Sequence, residues 1–404
     1  MVVKLYSSPH EFEPLLPRPE VSESVLIKAH ALQTIALQVK GKADIAVMQA
    51  IAPLLHAMNS YYTNKIEGQH TLPSEIENAL AHSFSDDQDV RRKQRIAIAH
   101  MKTEQWAEQR YSGALWRELF SVEVIASLHR HLFSQLDDAD LLLQDGSAMV
   151  PGALRTKEVK IAHHEAPAAS TVPDFLERFD EFYSRTREGE LAVVAVAAAH
   201  HRLAWIHPFP DGNGRVARLH SNLLLHAMGL TNGIWSPLRG LARAHQQYYK
   251  ALGDADLHRQ GDLDGRGNLS EKLLVEFVSF FLGVCIDQAR FMTDMLDFQK
   301  MRQRIQACLA FESTQPGSAI RMEAELPLHT LFISGEMDRG DFKRMTGLGM
   351  RTADRLLRDL LAKRLLTSET PKGALRFGVP LYALRFYFPA LWPEAEAQMQ
   401  RSLS

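Results

Sequence analysis

The chain has 404 residues, 46% of them hydrophobic, enough for two or three domains with real cores and incompatible with a disordered tail. Its 46 Lys and Arg stand against 48 Asp and Glu, and the resulting net charge of -2 argues against non-specific nucleic-acid or membrane binding by the whole molecule, so partners must be sought in local patches. Cys285 and Cys308 are the two cysteines and form no CxxC or zinc-type spacing, so the sequence suggests neither a disulfide framework nor a structural metal and fits a reducing cytoplasm.

Residues 1–20 are interrupted by Pro9, Pro14, Pro17 and Pro19 and read as an extended lead-in without an apolar signal core. Apolar residues at three-and-four spacing predict helices over 21–37 and 43–57, with Pro53 as a kink or boundary. Residues 59–68 form a further helical pattern closed by Gly68 as a C-cap, with Thr63 and Glu67 on one face. By composition alone Glu67 is a solvated helix carboxylate. A charged turn over 85–92 leads into a helix over 93–109, and a second amphipathic helix covers 121–132. Near Pro151 and Gly152 the period changes. Leu154, Thr156, Val159 and Ile161 alternate loosely with Arg155, Lys157 and Lys160, as in a short hairpin or exposed strand.

Helices are expected again over 173–187 and 189–206. The second is the most apolar run of the chain, but it contains His200, His201 and Arg202, is too short to span a bilayer and reads as a buried helix. Further helices are expected over 215–228, 238–253 and 270–295. The stretch 262–268 begins like a calcium loop but has Arg266 and Leu273 where oxygen ligands are required, so it reads as a glycine-rich turn with a helix cap. Residues 314–318, Thr-Gln-Pro-Gly-Ser, are the best linker signal. Residues 337–376 then carry ten Lys or Arg against five Asp or Glu. A helix over 339–345, a turn at Gly347–Gly349, a helix over 351–366 and a hairpin through Pro371 and Gly373 make a helix-turn-helix with a wing. Ala353, Leu356, Leu357 and Leu360 give its second helix a buried face, and Arg351, Arg355 and Arg358 share another. Such a unit serves DNA binding or protein interaction.

The densest chemistry lies in HPFPDGNGRVAR, residues 207–218. Pro208 and Pro210 make the entry rigid, and the turn through Asp211–Gly214 leads into a helix whose first N–H groups point outwards, a ready anion site. Gly212 and Gly214 let a ligand approach the backbone, and Asn213 adds a side-chain donor. Arg215 and Arg218, one helical turn apart, suit two neighbouring phosphates. Asp211 is placed to hold magnesium beside those phosphates, and His207 to act as a general base towards an incoming hydroxyl. Together they point to transfer of a phosphate-containing group. The competing reading is a surface turn with solvated arginines and a capping histidine.

This motif resembles the full signature of the Fic family (Fido superfamily), HxFx(D/E)GNGRxxR, with each defined position filled. His200 and His201 resemble the family's preceding helix, Tyr248 and Tyr249 with Leu252 its later YYxxL segment, and 154–161 its flap hairpin; the resemblance covers roughly 118–295. It implies adenylylation: ATP is bound, and AMP moves to a Tyr, Thr or Ser hydroxyl of a target protein or of the chain itself. By carry-over, His207 is the base, Asp211 holds Mg2+, and Gly212, Asn213 and Gly214 form the phosphate hole. Arg215 and Arg218 hold the β- and γ-phosphates, Tyr248 and Tyr249 belong to the nucleotide site, and Phe209 anchors the loop. The flap, through Arg155, Thr156, Lys157, Val159 and Ile161, clamps the target backbone. Thr63 to Gly68 is similar to the family's inhibitory pattern (S/T)xxxE(G/N), which implies that Glu67 pairs with Arg218 and blocks the γ-phosphate, while Arg215 serves ATP throughout.

The expected protein is mainly α, a Fic-type helical core with a small β-hairpin flap and a C-terminal winged helix-turn-helix domain. Its expected parts are an N-terminal helical region over 1–116 with an inhibitory segment at 60–68, a Fic domain over 117–298, a linker over 299–325 and a winged-helix-like domain over 326–404. The expected function is a cytoplasmic, autoinhibited, magnesium-dependent protein adenylyltransferase. Removal of AMP, or use of another nucleotide or phosphodiester donor, is the alternative on the same site. A nucleotide-sensing DNA-binding regulator is the alternative of a different class. A homodimer is left open and no membrane partner is expected.

Overall fold

A computed structural model describes residues 6–42, 44–69, 71–143, 145–161, 164–186, 189–389 and 391. Its contacts divide the chain into two compact units. One comprises the residues up to Ala36 with Asn59–Thr231 and Ser236–Gln288, and the other comprises Leu37–Met58, Asn232–Trp235 and the residues from Ala289 onwards. No described helix is long and apolar enough to cross a membrane.

The chain opens with helices α1 (Glu23–Lys40) and α2 (Ile45–Ile66), the latter running through Pro53 and absorbing the separate inhibitory segment expected at 60–68. Two helices follow, α3 (Pro73–Leu80) and α4 (Gln88–Arg110), whose N-cap Asp87 accepts from the Val90 N–H. Helix α5 (Val122–Phe133) is capped in the same way by Ser121. A hairpin of β1 (Lys160–Ile161) and β2 (His164–Glu165) precedes α6 (Val172–Tyr183).

Helix α7 (Glu190–Ile206) is the centre of the first unit: every residue from Ala192 to Ile206 is buried except Ala204, as expected of a helix apolar all round. Its alanines let α8 (Asn213–Ala227) pack along it, and α4, α5 and α6 close around this pair. Two aromatic clusters seal the core. Phe12, Phe175 and Trp205 form one, and Phe120, Phe179, Tyr183 and His220 the other. Helices α9 (Leu238–Arg243) and α10 (His245–Asp254) replace the single helix expected over 238–253, and α11 (Glu271–Met295) follows.

In the second unit, residues expected as a linker form helix α12 (Phe298–Ser313). Asp297 caps its start, and Met301, Ile305, Cys308 and Leu309 recur at helical spacing and are buried, so a chain stretch read as a connection is part of a core. It packs against α13 (Glu325–Ser334). Next come β3 (Glu336–Met337), α14 (Arg339–Met345), α15 (Met350–Ala362), β4 (Leu366–Thr367), β5 (Leu375–Phe377) and α16 (Leu384–Tyr387). The three strands pair antiparallel in the order β3-β5-β4, with Glu336 opposite Arg376 and Leu366 opposite Phe377. Ala353, Leu356, Leu357 and Leu360 of α15 are buried as their spacing predicts.

Candidate active site

The loop between α7 and α8 is shaped by backbone conformations that few residues adopt. His207 closes α7 in the left-handed region at φ 50° and ψ 60°, its N–H still bonded to the Leu203 carbonyl. Gly212 opens α8 at φ 78°, and a Cβ built there would stand 2.4 Å from the ring of Phe133. Only glycine meets both demands. Asn213 ties the loop to itself: its side-chain oxygen accepts from the Phe209 N–H and its amide donates back to the Phe209 carbonyl, both at 2.8 Å. Its side chain braces the loop, with one of its two amide N–H donors committed to that role.

Phe209 is fully buried and stacks on His129 of α5, ring centroids 4.0 Å apart. His129 accepts from the Gly152 N–H through Nδ1 at 2.8 Å, which leaves its Nε2 proton to donate to the Asp211 carbonyl at 3.2 Å. Burial pushes its pKa down to about 4, so it performs this bridging as the neutral ring. Arg155, 3% exposed, grips the other end of the loop. Its Nε donates to the His207 carbonyl at 2.8 Å, its backbone N–H to Pro208 and its guanidinium to Pro167.

His207, the residue expected to be the base, is half-buried, and burial, with the charges of His164 and Arg155 adding to it, pushes its pKa down to about 3; the Ala204 carbonyl and the Glu67 carboxylate act in the opposite direction. The ring is therefore neutral near pH 7 and ready to accept a proton. Asp211 is exposed, and one carboxylate oxygen accepts from the Gly212 N–H at 2.7 Å. Its other oxygen makes no hydrogen bond to a described residue. A solvent-facing carboxylate beside the open start of α8 suits one magnesium ion whose remaining ligands are water and phosphate oxygens.

Arg215 and Arg218 are 3% and 1% exposed, and buried guanidiniums require acceptors. Those acceptors come from α2 and the residues just after it. Arg218 donates through Nε to the Thr63 hydroxyl at 2.7 Å and pairs with the Glu67 carboxylate, while Arg215 donates to Asn64 at 3.3 Å and to Gln69 at 2.8 Å. Burial works against ionisation of Glu67, but Arg218 and Arg215 outweigh it and hold its pKa below the ordinary carboxylate value. Gly214 makes the approach feasible, because a Cβ there would lie 2.5 Å from a Glu67 oxygen. Gly68, at φ 70°, ends the helix and turns Gln69 back towards Arg215.

The remaining expected site residues fall in two places. Tyr248 is buried and its hydroxyl bonds to His200 at 2.7 Å, close enough to Arg218 to feel its charge. Half-exposed Tyr249 donates to the Ile66 carbonyl at 2.9 Å and so holds the end of α2. The hairpin is shorter and later than the alternation suggested. It pairs Lys160 with Glu165 and Ile161 with His164, whereas Thr156 and Lys157 lie exposed before it, Val159 is half-buried and the side chain of Ile161 lies outside the described residues. Lys157 pairs with Asp145 at 2.6 Å.

Residues 119–225, which contain α5, α7, the loop and most of α8, match the Fic/DOC family. The chain therefore carries a Fic/DOC domain over these residues. It is 30% identical over 154 residues to the protein adenylyltransferase Fic of Drosophila mojavensis, covering 38% of this chain and 27% of that one, and 30% identical over 140 residues to its counterpart in Drosophila grimshawi. The match thus spans about a quarter of the length of these curated relatives. The fold is similar to that of a Fic family protein from Desulfovibrio desulfuricans G20, at a TM-score of 0.50 and 17% identity over 90% of this chain and 98% of that one. A Fic domain containing signaling protein from Bacteroides thetaiotaomicron also has a TM-score of 0.50, at 16% identity over 65% of this chain and 95% of that one. Around the Fic loop, sequence reasoning missed His129, Gly152, Asn64 and Gln69. No local signal marks His129 or Gly152, since His129 acts on a backbone carbonyl and Gly152 acts through its own backbone N–H.

Proposed function

We propose that this chain is a protein adenylyltransferase held inactive by its own α2. The observation that carries the reading is the pair of buried guanidiniums, one helical turn apart on α8, both satisfied by oxygens of α2 and the turn after it. Those oxygens offer the arginines what the β- and γ-phosphates of ATP would offer, so α2 and a triphosphate compete for the same donors. Mg2+ bound at Asp211 would neutralise phosphate charge. The adenylyltransferase names of the curated relatives support ATP as donor and a protein hydroxyl as acceptor.

In the transfer, the acceptor oxygen forms a bond to the α-phosphorus as the bond between that phosphorus and the α,β-bridging oxygen breaks. Pyrophosphate leaves with the electron pair, and the hydroxyl proton passes to neutral His207. Arg155 and His129 hold the two ends of the loop through the carbonyls of His207 and Asp211, which fixes base and carboxylate relative to each other. The test is incorporation of labelled AMP from ATP by wild type, Glu67→Gly and Glu67→Gly/His207→Ala proteins. Glu67→Gly should label itself or an added target far more than wild type, and the double variant should not. Equal labelling in all three, or release of AMP from a modified protein in its place, would overturn the reading.

A further inference from the structure

In the second unit, α15 carries five charged residues between Arg351 and Asp359, and their partners separate them into two sets. Its two acids are committed. Asp354 pairs with Lys343 of α14 at 2.6 Å, and Asp359 accepts from the Ala319 N–H at 2.7 Å and from Ser318 at 3.4 Å. Its three arginines, Arg351, Arg355 and Arg358, are exposed, and among the described residues none has an acidic partner. Arg358 makes one weak bond, at 3.4 Å to the Asp354 carbonyl of its own helix. At 100° per residue the three lie within about 60° of one another and rise through about 10 Å of helix. The opposite face is buried, so the stripe has no apolar flank of the kind that inserts into a membrane.

Two features fix this stripe in space. Helix α14 precedes α15 across a tight turn, and the β4–β5 hairpin is braced on α14 by Arg339, whose Nε donates to the Gly373 carbonyl at 3.1 Å. The hairpin turn presents Lys372, also exposed and without an acidic partner among the described residues. The start of α15 has no side-chain cap, although the Thr352 and Ala353 N–H groups bond to the Gly349 carbonyl.

We propose that the Arg351–Arg355–Arg358 face binds the phosphate backbone of double-stranded DNA, with α15 entering the major groove. This inference is independent of the activity proposed above. Unpaired guanidiniums on a rigid helix match phosphate oxygens in charge and geometry, and the B-form major groove, about 12 Å wide, admits a helix. The deep, narrow major groove of duplex RNA does not, which sets the choice between the two duplexes.

The probe is a fluorescein-labelled mixed-sequence DNA duplex of about 30 bp, titrated with the full chain between about 50 mM and 200 mM KCl and followed by anisotropy. Wild type should bind, with the triple alanine variant R351A/R355A/R358A at least about tenfold weaker and its salt slope smaller by about 2.7, three phosphate contacts at about 0.9 each. The triple lysine variant should stay within a few-fold of wild type, because charge carries the contact. Unchanged melting temperatures would exclude misfolding as the cause. No binding by wild type up to about 50 µM, alanine variant binding equal to wild type, loss in the lysine variant as complete as in the alanine one, or equal binding of an RNA duplex of the same sequence would overturn the proposal.

Discussion

Gln69 accepts a hydrogen bond from the Arg215 guanidinium at 2.8 Å, so the first arginine of the Fic loop is engaged by the same segment that supplies Glu67 to Arg218. The expectation that Arg215 stands free for ATP is not what the geometry presents. The two contacts differ in strength: both go to a charged guanidinium, a class of hydrogen bond worth about 1.5–3 kcal/mol, and the neutral amide falls at the low end of that range while the carboxylate adds its own charge. Gln69→Ala should therefore raise AMP incorporation by a few-fold and Glu67→Gly by about tenfold or more, with the double variant above either alone. Labelling rates at subsaturating ATP measure this. A Gln69→Ala protein indistinguishable from wild type would leave Arg218 as the sole regulated arginine.

The depressed pKa of His207 has a kinetic consequence. Burial, His164 and Arg155 bring it to about 3, and the Glu67 carboxylate acts against them. Glu67→Gly removes that anion and leaves Arg215 and Arg218 uncompensated, so the free-enzyme pKa falls further. For the Glu67→Gly protein, kcat/KM for ATP should be free of an acid limb near the unperturbed histidine value of about 6.5. A limb centred there would show that His207 is solvated in the active form.

Much of this site was legible before any coordinates. The twelve residues from His207 to Arg218 place a histidine, a carboxylate and two guanidiniums at fixed local spacing, so their gathering around one loop and helix start could be read from the sequence. His129 and Arg155 were not legible as supports, because each recognises a backbone carbonyl, Asp211 and His207 respectively, and any sequence supplies carbonyls. The fold alone decides which carbonyl meets which donor. Helix α12 shows a different failure. Its cap Asp297 and the spacing of Met301, Ile305, Cys308 and Leu309 were present in the sequence, but the strong turn signal at 314–318 drew the boundary too wide.

Histidines held away from water make the fold sensitive to acid. His129 and His220 are lowered to about 4 and His200 and His207 to about 3, in each case chiefly by burial. Unfolded histidines take up protons below about pH 6.5, whereas these folded ones do not until the pH reaches their own values. Stability is therefore unaffected above that pH and falls as pH drops through the window, by up to about 1.4 kcal/mol per pH unit for each ring. Melting temperature should decline steeply between about pH 6.5 and 4.5, and His220→Gln, though less stable at neutral pH, should show a shallower decline. A flat profile over that interval would contradict neutral burial.

Gly212 is held in place by two independent constraints, its φ of 78° and the Phe133 ring 2.4 Å from where a Cβ would stand. Alanine there would cost about 1–2 kcal/mol for the left-handed backbone and about 1–3 kcal/mol more for overpacking. Trimming the ring relieves the second cost and leaves the first. Gly212→Ala combined with Phe133→Leu should thus be more stable than the sum of the single changes predicts, by about 1 kcal/mol or more, in urea midpoints at constant slope. The backbone strain persists in the double variant, so its AMP transfer in the Glu67→Gly background should remain below that of the Gly212 protein. Additive destabilisation within about 0.5 kcal/mol would mean that the loop moves off Phe133 when Cβ is added, and that contact would no longer explain the glycine.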